Sequence, residues 1–199
     1  MENLKENIVN TAAKMFAEYG LRSVSIEDIC NKMQISKKTF YNVFEQKEEL
    51  IETVLLYQWT TTVQRLYNMT ANANAIESLI TMVKEMRKNI SETIPVVVFD
   101  LNKYYPALLK KCEDGRMEAM QRGIIKNLKR GIEEGFYKDN LNMELTAMFF
   151  AVQIPNAFKM LKDSKKFSKK QLLDFFIDLL FSLIVSEKGK QYLAENYNN

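Results

Sequence analysis

The chain has 199 residues, is 47% apolar, and carries 28 Lys and Arg against 25 Asp and Glu. That length suits one large domain or two smaller ones with a real core, while only 6 Gly and 3 Pro argue against a turn-rich all-β fold. There is no histidine, and Cys30 and Cys112 stand far apart, so the commonest general base, the commonest metal ligand and a disulfide framework are missing; no metal or cofactor is expected, and the chain is read as a non-enzyme.

Helical periodicity dominates from the start. Leu4, Ile8, Ala12, Phe16 and Tyr19 fall on one face of a first helix, and Gly20 is a natural stop. The amino end lacks the apolar region of a signal peptide. Ser25, followed by Glu27 and Asp28, caps a second helix that buries Ile26, Ile29 and Cys30. The link Met33-Gln34-Ile35 allows only a tight turn. Ser36 then caps a third helix, which ends by about residue 44.

This third helix has two faces. At roughly 100° per residue, Phe40, Val43 and Phe44 cluster on one side. Lys37, Lys38, Tyr41 and Asn42 fill the opposite arc, with Thr39 at the border. Gln46-Lys47-Glu48-Glu49 opens a long fourth helix with a buried stripe of Ile51, Leu55, Thr62, Leu66 and Met69, and Trp59 beside it. Asn72–Asn74 breaks the pattern. A fifth helix follows with Ile76, Leu79, Ile80, Val83, Met86 and Ile90. The run IPVVVF at 94–99 has the composition of a strand but no partner strand, so it reads as a buried helix with Pro95 in its first turn. Pro106 opens a seventh helix running towards Gly135, with a disturbance expected at Asp114-Gly115.

The last two predicted helices, Met143–Leu161 and Lys169–Val185, are apolar nearly all round. Ser168 and Gln171 form a capping box for the second. Such helices must be covered on every side. A second copy of the chain is the simplest cover, giving a four-helix bundle. Phe149, Val152, Phe158, Phe176, Leu180 and Leu183 are the expected dimer contacts. The lysine-rich stretch 158–170 reads as a solvated linker. No apolar run reaches the about 18 residues of a membrane span; Leu145–Phe158 is interrupted by Gln153, Pro155 and Asn156. No membrane partner is expected, and the location expected is cytoplasmic.

The second and third helices, joined by a three-residue turn, form a helix-turn-helix. Such a unit lays the polar face of its second helix in the major groove of double-stranded DNA. Lys37 and Lys38 suit guanine O6/N7 or phosphates, Asn42 suits adenine, and Thr39 a thymine methyl or a phosphate. Lys47, Ser25 and Ser36 stand at helix starts, where the dipole favours an anion. The overall charge does not help. Residues 1–50 hold 7 Lys and Arg against 8 Asp and Glu, so attraction for phosphate must come from placement.

Over residues 8–50 the sequence resembles the TetR family of bacterial transcriptional regulators. The resemblance is carried by Ile8, Ala12 and Ala13, Phe16 and Gly20, Ser25 and Ile26, Ile29, the run from Ile35 to Phe44, and Lys47-Glu48-Glu49-Leu50. It departs from the family at Cys30, usually Ala; at Gln34, usually Gly; and at Asn42 and Val43, often an aromatic residue then His or Tyr. Beyond residue 50 only the layout is similar, with Gly131 and Gly135 before the last helix pair.

The resemblance implies an all-α fold of about nine helices. Residues 1–46 would form the DNA-binding domain, and residues 47–199 a ligand-binding and dimerisation domain. It also implies that Tyr41 and Lys47 hold phosphates. The expected activity is that of a homodimeric repressor released from a palindromic operator by a small, mainly apolar effector. Methionines and aromatics suited to line its cavity are Trp59, Tyr67, Met82, Met86, Phe99, Tyr104, Met117 and Met120. The alternative is a DNA-binding module answering to a protein partner, with no metabolite pocket.

Overall fold

The structure is a computed structural model. It describes residues 2–88, 96–163 and 166–197. The side chains of residues 2, 86–88, 155, 157–163, 169 and 173 fall outside that description, and with them the expected roles of Met86, Pro95 and Phe158. The described chain is helical: α1 (Glu2–Tyr19), α2 (Ile26–Met33), α3 (Lys37–Tyr41), α4 (Lys47–Met69), α5 (Ala75–Lys88), α6 (Val96–Tyr104), α7 (Pro106–Glu133), α8 (Met143–Asp163), α9 (Lys169–Ile184) and α10 (Glu187–Tyr197). Among the described residues, extended pairing is confined to one antiparallel bridge between Tyr137 and Val185. No described helix is long and apolar enough to cross a membrane.

The chain divides into two compact units. One is Met1–Arg65 with Thr93–Gly115, and the other is Leu66–Glu92 with Arg116–Asn199. In the first, Ile8, Ala12 and Phe16 of α1 repeat every four residues and enter a core shared with Ile29, Cys30, Phe40, Phe44, Leu50, Ile51 and Leu101. Tyr19, expected on the same stripe, is instead 55% exposed. Leu21 and Val24, beyond the helix end, fill that part of the core. Met69, expected on the buried stripe of α4, is also exposed.

Helix α6 is present but only one face of it is buried. Asp100 and Leu101 point inward, while Val96, Val98 and Phe99 remain exposed. The apolar run set the expectation of a buried helix, and the described residues cover one side of it. Helix α7 begins at Pro106 and passes through Asp114-Gly115 without interruption. A Cβ at Gly115 would meet nothing within 4 Å. That glycine therefore costs helix propensity, about 1 kcal/mol, and breaks nothing.

The second unit has its own core of Ala75, Ile76, Leu128, Tyr137, Ala147, Phe150, Leu180, Ile184 and Val185. Helix α8 packs against α9. Helix α10 has no counterpart among the nine predicted helices. Ser186 precedes its first turn, and the Ser186 Oγ accepts from the Gly189 amide at 3.1 Å. Its sequence is polar, with a glycine in the first turn, and carries no strong periodic stripe. Gly189 is there for space: a Cβ would sit 2.3 Å from the Phe136 carbonyl oxygen.

Candidate nucleic-acid interface

Helix α2 is fixed at its start by a reciprocal cap. The Ser25 Oγ accepts from the Asp28 amide at 3.1 Å, and an Asp28 carboxylate oxygen accepts from the Ser25 amide at 2.8 Å and from its hydroxyl at 2.6 Å. These bonds hold the Asp28 carboxyl below the usual carboxylate range. The hydroxyl proposed for phosphate is thus already engaged in holding the helix. At the other end, Gln34 takes the left-handed conformation (φ 55°, ψ 41°), which puts a side chain where the turn favours glycine. Gln34→Gly should therefore raise stability. The relieved strain of about 1–2 kcal/mol exceeds the entropy that glycine restores to the unfolded chain, about 0.4–1 kcal/mol. An unchanged or lower urea midpoint would argue against strain at this turn.

Helix α3 is short and anchored from within. Phe40 and Phe44 are fully buried, with ring centroids 5.8 Å apart. Tyr41 packs edge-on against Phe40 at 5.6 Å and is half exposed. The Ser36 Oγ accepts from the Thr39 amide at 3.0 Å and shares a 2.8 Å hydrogen bond with the Thr39 hydroxyl. Lys38 and Asn42 are exposed, and among the described residues Lys38 has no acidic partner. Lys37 is different: its Nζ donates to Glu27 of α2 at 2.8 Å. Lys47, first residue of α4, is partly covered. Burial lowers its pKa, opposed by Glu48, Asp100 and Asp28.

One feature of the first unit was not anticipated. The Asp100 carboxylate, buried on α6, accepts from the Arg22 amide at 2.9 Å. It reaches the α1–α2 turn because Gly20 (φ 88°) has no side chain: a Cβ there would lie 2.7 Å from Oδ2 of Asp100. The Arg22 guanidinium in turn stacks on Tyr104 at 4.3 Å, and hydrogen bonds from Arg22 and Lys103 lower the Tyr104 pKa. The legible signals were a lone acid inside the apolar run VVVFDL and the glycine at the end of α1.

A family model described as "Bacterial regulatory proteins, tetR family" matches residues 8–54, the segment that holds α2, α3 and the start of α4. Residues 8–54 are thus similar to the DNA-binding segment of TetR-family regulators. Among relatives, the chain is 36% identical over 69 residues to the HTH-type transcriptional regulator YuxN of Bacillus subtilis (strain 168), a match covering 35% of this chain and 24% of that one. It is 25% identical over 153 residues to the transposon Tn10 TetC protein of Escherichia coli, covering 65% and 78%. Its fold is that of a transcriptional regulator from Saccharomonospora viridis solved in complex with choline, with TM-score 0.68, 16% identity, and 94% and 100% of the two chains covered.

The remaining predicted residues are divided between the two units. Trp59, Phe99 and Tyr104 belong to the first unit, and Tyr67, Met82, Met117 and Met120 to the second. Phe99, Tyr67 and Met117 are exposed, and Lys126 sits over the Tyr67 ring at 5.1 Å. Of the dimer contacts, Phe149, Val152 and Leu183 are exposed and Phe176 packs on the core. Leu180 lies on the same core-facing side of α9 as Phe176. It is 3% exposed inside its own chain, because it lies on the side of α9 that closes the core with Ile184.

Proposed function

We propose that this regulator is a homodimeric repressor that grips a palindromic operator and is released by a small, mainly apolar effector. The polar arc of α3 supports the DNA-binding role. Phe40 and Phe44 pin the helix from below while Lys38, Tyr41 and Asn42 stand in solvent. Lys38 and Asn42 would read base edges; Tyr41, Thr39, Ser36 and Lys47 would position the backbone, while Ser25 holds the start of α2.

The exposed apolar residues of α8 and α9 support self-association. Leu145, Met148, Phe149 and Val152 on α8, and Phe175, Leu179 and Leu183 on α9, are all left uncovered, with Phe175 68% exposed. A second copy covers them and sets two recognition helices about 34 Å apart, one helical turn of DNA. The effector acts by favouring a dimer with another spacing. To swing the population from 1:99 to 99:1 it must discriminate between the two states by about 5.5 kcal/mol. Choline in the Saccharomonospora structure supports a small-molecule effector here, without naming it.

Retention of genomic fragments by the purified dimer, read by sequencing, tests the operator. Lys38→Ala and Lys47→Ala should each weaken binding to the retained fragment. Each should also flatten the plot of log affinity against log salt by about 0.9 for every phosphate no longer neutralised. Parent-like binding by both variants would remove this face from consideration.

A further inference from the structure

Glu27 lies in the first turn of α2, and its Oε2 is 2.8 Å from Nζ of Lys37 at the start of α3. Both side chains are well exposed, 62% and 57%. Exposed pairs of this kind add little to stability, and α2 and α3 are already joined through Ile29, Cys30 and Phe40 in one core. The pair is poorly explained as a brace for the fold. As a grip on DNA it is worse. An acid beside the recognition helix repels every phosphate, and it occupies one of only three lysines between Ser36 and Lys47.

The pair makes sense as a reader. Lys37 offers donors only, and Glu27 acceptors only. In the major groove a G·C pair presents guanine N7 and O6 as adjacent acceptors, followed by the cytosine N4 amino donor. A lysine and a carboxylate held side by side are the complement of that sequence. They fit an A·T pair less well. There the adenine N6 amino group stands between two acceptors, adenine N7 and thymine O4, and both oppose a carboxylate. We propose that Glu27 is a specificity-determining residue, reading with Lys37 one G·C pair in each half-site. This rests on the operator-binding reading above. It adds that part of the code comes from α2, through a residue whose charge lowers affinity for DNA in general.

The test is selection from a random duplex pool by the full-length protein, its Glu27→Gln and Glu27→Ala variants, and Lys37→Ala. Titrations against the selected and a random duplex are run at several salt concentrations. The parent should retain duplexes with a fixed G·C pair in each half-site. Both Glu27 variants should lose the preference at that position alone, keep the rest of the motif, and melt like the parent. Their affinity for random duplex should rise severalfold, with a salt slope steeper by about 0.9 per phosphate gained as Lys37 is released. Lys37→Ala should lose the same position without that rise. An unchanged motif in Glu27→Ala, or unchanged affinity for random duplex, overturns the assignment while leaving operator binding intact. A parent that selects no motif overturns both readings.

Discussion

Gly131→Ala is expected to lower the stability of the chain by about 3 kcal/mol, a drop of roughly 6–12 °C in the thermal midpoint for a chain of this size. Alanine within a helix gains at most about 1 kcal/mol over glycine, and Gly131 stands in the last turn of α7. Here the added Cβ would lie 2.0 Å from Cδ2 and 2.3 Å from Cε2 of Tyr137. The ring cannot swing aside. It is 2% exposed, its hydroxyl donates to the Ala75 carbonyl at 3.1 Å and to Asn127 Oδ1 at 3.0 Å, and its amide bonds to the Gly131 carbonyl at 3.0 Å. Overlap against a ring held at both ends outweighs the propensity gain. Tyr137→Phe should cost only about 1 kcal/mol, since the Ala75 carbonyl keeps the Asn127 amide at 3.0 Å. Circular dichroism melts compare the two. A midpoint for Gly131→Ala at or above the parent's would show that the close approach of Gly131 and Tyr137 is not as described.

Lysine at both Phe149 and Leu183 is expected to yield a folded monomer by ultracentrifugation. The double variant should bind the operator at least about a thousandfold more weakly, near the level of non-specific DNA. The two side chains are exposed in the single chain, at 45% and 43%, so charging them leaves the core untouched and removes the apolar cover that a second copy would provide. Leu180→Lys should behave differently. It puts an ammonium among Ile184, Phe150 and Val185 and should lose helical signal rather than dissociate cleanly. If the double variant stays dimeric, self-association uses another surface.

How much of this was legible in the chain depends on the range of the forces involved. The caps at Ser25, Ser36 and Ser168 were readable because a hydroxyl meets an amide three residues on. The turn at Gln34 and the stop at Gly20 were readable for the same local reason. Burial was not, wherever the covering atoms come from elsewhere in the chain. Periodicity put Tyr19 inside, an apolar run put α6 in the core, and the all-round apolar character of α9 offered Leu180 to a second copy. Helix α10 was invisible because its glycine is justified by a carbonyl more than fifty positions earlier. At the site, each lysine of α3 could be placed by helical geometry. The acid facing Lys37 could not, because two helices joined by a left-handed residue bring positions 27 and 37 together, and no single-helix pattern contains that pair.

The carboxylate that α6 sends to the α1–α2 turn fixes an order of events during synthesis. The amide of Arg22 waits for a group 78 positions further along, and the first unit closes only with residues up to Gly115. A ribosome that has released the helix-turn-helix alone has therefore delivered an unfinished reading head. An excised piece ending at Arg65 should inherit the same gap, exposing the socket for Leu101 and leaving that turn unbraced.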